Sequence, residues 1–178
     1  MRPSLVGLAA VVVPALVLGC SAEAGPSATA DDTSDWEGSV ATKEYVEATS
    51  YLDDPADVDA WYALTHNLKD DFDRVCGDTF CEGDYTNIES LAFQCSVEKS
   101  AGTIGTCVWV FAGSYEEITL STGNIVTHPE TWRCKLPIPK GTTIGAFLQA
   151  VSVPGEQPID AILPGTDVSI YDSLTDCL

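Results

Sequence analysis

Basic side chains are scarce: 8 Lys and Arg stand against 27 Asp and Glu in 178 residues, a formal charge of -19. Nucleic-acid binding depends on clustered cations that neutralise phosphates, so DNA and RNA are excluded as partners. Apolar runs of the ~20 residues that span a bilayer are also absent. The one apolar run, Leu5 to Leu18, is too short and carries Pro14. No Gly-x-Ser-x-Gly, P-loop, Gly-x-Gly-x-x-Gly or His-Glu-x-x-His string occurs. With only His66 and His128 and no Cys-x-x-Cys pair, no tight metal-ligand set is visible, and no cofactor is expected. Apolar residues, in contrast, make up 45% of the chain, enough to build the core of one domain.

Met1 and Arg2 ahead of the Leu5 to Leu18 run have the order of an export signal. The run ends Val17-Leu18-Gly19-Cys20, which resembles the lipobox of bacterial lipoproteins: an aliphatic residue, then a small one directly before a Cys. By that resemblance residues 1–19 are a signal peptide, and Cys20 is the lipidated first residue of the mature protein, held on a membrane outside the cytoplasm. Ser21 in place of Asp resembles the outer-membrane sorting class of a Gram-negative host. Without an outer membrane, the outer face of the cytoplasmic membrane is expected. Loss of residues 1–19 removes Arg2 and no acid, so the mature chain is one unit more negative. Residues 20–41 then read as the lipidated Cys and a flexible acidic tether carrying Glu23, Asp31, Asp32, Asp35 and Glu37. Trp36 is expected to be the first residue docking on the domain of residues 42–178.

With Cys20 lipidated, Cys76, Cys81, Cys95, Cys107, Cys134 and Cys177 remain, an even number in an exported chain, which implies three disulfides in an oxidising compartment. Proximity favours Cys76–Cys81, strand register favours Cys95–Cys107 against bridges to a neighbouring strand, and elimination leaves Cys134–Cys177.

Asp54 is placed to cap a helix and Pro55 suits its first position. Val58, Trp61, Thr65, Leu68, Phe72 and Val75 then repeat as one stripe, with Gly77 as the stop. Leu91, Phe93, Cys95 and Val97 alternate, as do Cys107, Trp109 and Phe111. A three-residue loop Ser100-Ala101-Gly102 would set Lys99 against Thr103, Cys95 against Cys107, Phe93 against Trp109 and Leu91 against Phe111. A further strand from Tyr115 to Leu120 and one through Trp132, Cys134 and Leu136 complete about four. Thr142 is the expected cap of a short helix from Ile144, and a last helix runs from Ser169 towards Leu178 beyond a Pro- and Gly-rich loop. The class expected is α+β: a long helix on an antiparallel sheet, disulfide-stapled, similar at this coarse level to cystatin-like and related helix-on-sheet folds.

Candidate sites are few. Ser96-Val97-Glu98-Lys99 matches the Ser-x-x-Lys string of penicillin-recognising enzymes but falls on a predicted hairpin instead of a helix, and the companion motifs are out of order. Asp78, Glu82 and Asp84, in the Cys76 to Tyr85 loop and close in sequence to Asp70, Asp71 and Asp73, are a Ca²⁺ candidate whose spacing departs from an EF-hand. Arg133, Lys135 and Lys140 form a local reversal of sign, and the first two project from one side of a strand. They are the candidate contact for a protein or glycan partner in the envelope. The leading expectation is a non-enzymatic, lipid-tethered binding module of the bacterial cell envelope. The alternative is a small extracytoplasmic hydrolase with dispersed carboxylate and His groups, for which His128 and an acid would have to converge in a pocket.

Overall fold

The structure, a computed structural model, describes residues 42–178. The signal, Cys20, the tether and Trp36 lie outside the described residues. Four strands form one antiparallel sheet in the order β1-β2-β3-β4: β1 Tyr45–Glu47, β2 Glu89–Glu98, β3 Ile104–Thr119 and β4 Asn124–Lys135. Between β1 and β2 come α1, Ala48–Tyr51, and α2, Pro55–Cys76. After β4 follow α3, Ile144–Val151, a 3₁₀ turn at Pro158–Asp160, and α4, Ile170–Thr175. The class is α+β, stapled by disulfides. No helix of the described residues is long and apolar enough to cross a membrane.

The boundaries of α2 follow from local chemistry. Asp54 accepts the backbone N–H of Ala56 at 2.8 Å, which satisfies one of the donors a helix start leaves unpaired, and Pro55 follows. Trp61, Leu64, Leu68 and Phe72 are buried on one face, while Val58, Thr65 and Val75 are only half-buried at its margins. That face meets the sheet through rings: Trp61 lies 5.8 Å from Phe93, and Phe72 lies 5.9 Å from Trp109 and 4.5 Å from Phe111. Phe147, Leu148 and Val151 of α3 and Ile170 and Leu174 of α4 complete the core. Ser169 and Asp172 cap α4 reciprocally, each side chain accepting the other's backbone N–H at 3.0 Å. The disulfides close Cys76–Cys81, Cys95–Cys107 and Cys134–Cys177.

Several sequence expectations are corrected. No new strand starts at Tyr115: Tyr115 to Thr119 continue β3, Leu120 enters the turn after it, and the remaining strand is the short β1. Gly113 is the reason. A side chain there would meet Asn87 Oδ1 at 3.3 Å and Ile88 Cα at 3.4 Å, so the glycine admits a close backbone and makes no turn. Asn87 Oδ1 also accepts the N–H of Ser114 at 2.8 Å, pinning the strand as it leaves the sheet.

Cys95↔Cys107 and Phe93↔Trp109 pair across β2 and β3, but Glu98, not Lys99, bonds to Thr103, and Val97 pairs with Ile104. The loop is therefore Lys99 to Gly102, with Gly102 at φ +66, and a one-residue irregularity around Gly105 restores the register. A second irregularity expels Leu91. Ser90 takes its place opposite Phe111, and its hydroxyl accepts the indole N–H of Trp109 at 2.9 Å. Leu91 is 59% exposed. The cap of α3 is Thr143, which accepts from Ala146, whereas Thr142 turns its hydroxyl to the carbonyl of Pro139.

Candidate functional site

β-sheet alternation gives the sheet two unlike faces. One carries Phe93, Cys95, Trp109, Phe111 and Cys134 into the core. On the other, Ala92, Gln94, Val108, Val110, Arg133 and Lys135 are all half-buried or exposed, so the centre of this face is open. Val110 pairs with Arg133 and Val108 with Lys135, which sets two cations beside a column of small apolar groups. Among the described residues neither cation forms an ion pair; those that form involve Lys43, His66, Arg74, Lys99 and His128. Lys140 is exposed too, but lies in the turn beyond β4 and not on the strand with them. Towards β1 the face sinks into a depression of about 440 Å³ lined by Tyr45, Ser96, Thr106 and Val108.

A second concavity, about 450 Å³, lies between α2 and β2, walled by Trp61, Tyr62, Thr65, His66, Leu91 and Phe93. The expelled Leu91 contributes to it, a residue that alternation alone assigns to the core. His66 pairs loosely with Asp70 at 3.5 Å, both exposed.

His128 lies elsewhere. It stacks on Tyr115 with centroids 4.5 Å apart and sits 3.6 Å from Glu117 Oε2, too far for a hydrogen bond. Tyr85 stands perpendicular to Tyr115 and to Trp132, at 5.3 and 5.1 Å, and fixes the loop after the Cys76–Cys81 ring to the β3–β4 hairpin. Burial, followed by the charges of Glu130 and Asp84, pushes the Tyr85 phenol above its ordinary range. His128 lines none of four surface cavities of 250 to 450 Å³ among the described residues.

The calcium candidate is not assembled. Asp78, Glu82 and Asp84 are exposed, and among the described residues no group of three or more acidic, His or Cys side chains is placed to hold a metal. Asp71 explains part of this: it is buried, accepts the N–H of Ile159 at 3.2 Å and pairs with Arg74 at 3.3 Å. Its carboxylate fastens the 3₁₀ turn to α2 instead of joining Asp70 and Asp73.

Glu98 is the other buried acid among the described residues. It is 6% exposed and accepts from Lys43 at 2.7 Å, Ser100 at 3.0 Å and Thr103 at 3.3 Å. The Lys43 bond, then the Ser100 bond, holds its carboxyl below the usual 4.5. The same bond raises Lys43 above 10.5. The backbone N–H and hydroxyl of Ser169 likewise depress Asp172 below 3.8. A carboxyl depressed on folding stabilises the fold above its unfolded pKa and loses that contribution as pH falls through the folded value. Melting temperature is therefore expected to drop below about pH 4. Glu98→Gln should lower it at neutral pH and converge on the parent in acid, where Glu98 is itself neutral; a constant gap across that range would contradict the assignment. The Lys43 share has the opposite sign, held below pH 10.5 and lost as pH rises through the raised value.

No family model, curated protein or solved structure matches this chain.

Proposed function

We propose that this chain is a lipid-anchored extracytoplasmic lipoprotein whose domain is a non-enzymatic binding module of the bacterial cell envelope, taking an anionic partner on its open sheet face. The observation that carries the reading is the pair Arg133 and Lys135, exposed on that face without an ion pair among the described residues, on a chain of charge -19. Surface cations on an acidic body are ordinarily neutralised by neighbouring carboxylates, at little net stability. Two that stay free beside Val108 and Val110 supply a local positive field and an apolar floor, a combination suited to an acidic glycan or protein. The three disulfides are consistent with an oxidising compartment, and the Val17 to Cys20 string supplies the anchor. The finer architecture, a long helix on the sheet in the manner of cystatin-like folds, belongs to the same reading and is supported by the ring contacts of α2 with β2 and β3.

The test is recovery of partners from the envelope in low salt with the full chain and with Arg133→Glu/Lys135→Glu. Recovery should be lost in the variant and in high salt, with the melting temperature nearly unchanged. Equal recovery discards the face, and a large fall in melting temperature reassigns both residues to internal pairing. Mass spectrometry of the mature protein should find an acylated Cys20 at its N-terminus, and a different, unmodified start would remove the anchor.

A further inference from the structure

β2 ends its pairing at Glu89↔Ala112, while β3 and β4 continue together for seven more pairs, from Gly113↔Glu130 to Thr119↔Asn124. At ~3.3 Å per residue, this two-stranded arm runs about 23 Å past the end of β2; Asn87 and Tyr85 flank its first three pairs, and the four pairs beyond Tyr115↔His128 make up the last ~13 Å. Its end is closed by a turn at Thr119 to Asn124, with Gly123 at φ +72 and its N–H on the Thr119 carbonyl at 2.8 Å. Ile118 is 61% exposed, Leu120 97%, Ile125 68% and Val126 43%. From Ile118 to Thr127 there is no charged residue, although 20% of the chain is charged.

The geometry points to this tip as a membrane-contact surface that dips into the lipid interface. Three features favour lipid over a protein groove or a second copy. First, Ile118 and Ile125 pair and face one side of the arm, whereas Val126, opposite Glu117, faces the other, and Leu120 stands at the end. Apolar groups on both sides suit a medium that surrounds the tip, while a docked protein face would cover one side. Second, a formal charge of -19 opposes close approach of a second copy. Third, the ~13 Å beyond Tyr115 exceeds one Debye length of ~8 Å at physiological salt, so the charge of the body behind the arm is partly screened at the tip, and Glu116 and Glu117 are the acids nearest to it. Glu116 and Glu117, just behind Ile118, stay at the water side and limit the depth. Ser121, Thr122 and Asn124 supply hydrogen bonds to headgroups without charge. The inference rests on the proposed lipid anchor only for bringing the membrane within reach; with both engaged, the arm would fix the orientation of the domain and hold Arg133 and Lys135, eight or more residues along β4 from Ile125, away from the bilayer.

The test places an indole at the tip of the full chain, Leu120→Trp, and at the opposite end of β3, Ala101→Trp, in vesicles of phosphatidylcholine with and without phosphatidylglycerol. Leu120→Trp should shift its emission to the blue on both and be quenched severalfold more by brominated phosphatidylcholine than Ala101→Trp. Adding Ile118→Ser and Ile125→Ser should abolish the difference without moving the melting temperature. Equal quenching at the two positions overturns the inference. So does a blue shift that needs no vesicles and grows with protein concentration, which would mark a contact between copies. An unacylated mature N-terminus together with selective tip quenching would remove the anchor and leave the tip standing.

Discussion

Replacement of Cys134 and Cys177 together by Ala should lower stability by ~4 kcal/mol, the largest loss among the three bridges. The bridge ties β4 to the chain end beyond α4 across 43 residues, whereas Cys95–Cys107 spans 12 and Cys76–Cys81 spans 5. In the chain-entropy account the gain grows with the logarithm of the loop closed, which gives about 3 and about 2 kcal/mol for the shorter two. For a domain of this size, ~4 kcal/mol corresponds to a melting temperature lower by roughly 12 to 16 °C. Structure adds to the entropy. The loop that the bridge closes contains α3, the 3₁₀ turn and α4, whose Phe147, Val151, Ile159 and Leu174 are all nearly fully buried. Untying its end frees the elements that cover one face of the sheet. Thermal unfolding of the three double-Ala variants, side by side, checks the ranking. If the Cys76/Cys81 variant falls as far as the Cys134/Cys177 variant, loop length does not govern the bridges here.

Where local chemistry specifies an element on its own, the sequence is readable. Asp54 and Pro55 open α2 and Ser169 opens α4 because capping needs only residues within one turn. The Cys95↔Cys107 register is readable for a different reason: the turn and the apolar alternation agree on it. The departures arise where two conformations share one pattern. Leu91, Phe93 and Cys95 alternate identically whether or not Leu91 is expelled, and only the buried indole N–H of Trp109, which needs an acceptor and finds Ser90, decides it. The strand expected from Tyr115 is a continuation of β3 because Gly113 admits a close approach, and the approaching chain at Asn87 and Ile88 lies 25 residues or more away. β1 has three residues, too few for any periodicity. The two acids that face inward, Asp71 and Glu98, look like every other acid in so acidic a chain, because their partners Ile159 and Lys43 are distant in sequence. The same holds for surfaces. Arg133 and Lys135 share a strand side by spacing alone, but their lack of partners is a tertiary fact, and the exposed tip becomes visible only once β3 is seen to run on past β2.

Phe72→Ala should cost about 3 to 5 kcal/mol, close to the loss from the longest disulfide. Phe72 is fully buried and meets Phe80 at 5.9 Å, Trp109 at 5.9 Å and Phe111 at 4.5 Å, so its ring joins α2, the disulfide-closed loop and β3 at one point. Truncation to Ala removes the transfer free energy of the ring and leaves a void, since neighbouring rings held by a sheet and a bridged loop collapse only in part. Phe72→Leu retains most of the apolar volume and should cost clearly less. Val75→Ala, at the half-buried margin of the same helix, should cost on the order of 1 kcal/mol. Urea unfolding of the three variants at equal m-value separates the contributions. A Phe72→Ala loss no greater than that of Val75→Ala would show that the α2 face is not anchored to the sheet through this ring. Because the tip of the β3–β4 arm and the Arg133 and Lys135 face lie on strands that Phe72 braces only from the core side, Phe72→Ala at a temperature well below its melting point should leave tip quenching and partner recovery at the parent's level.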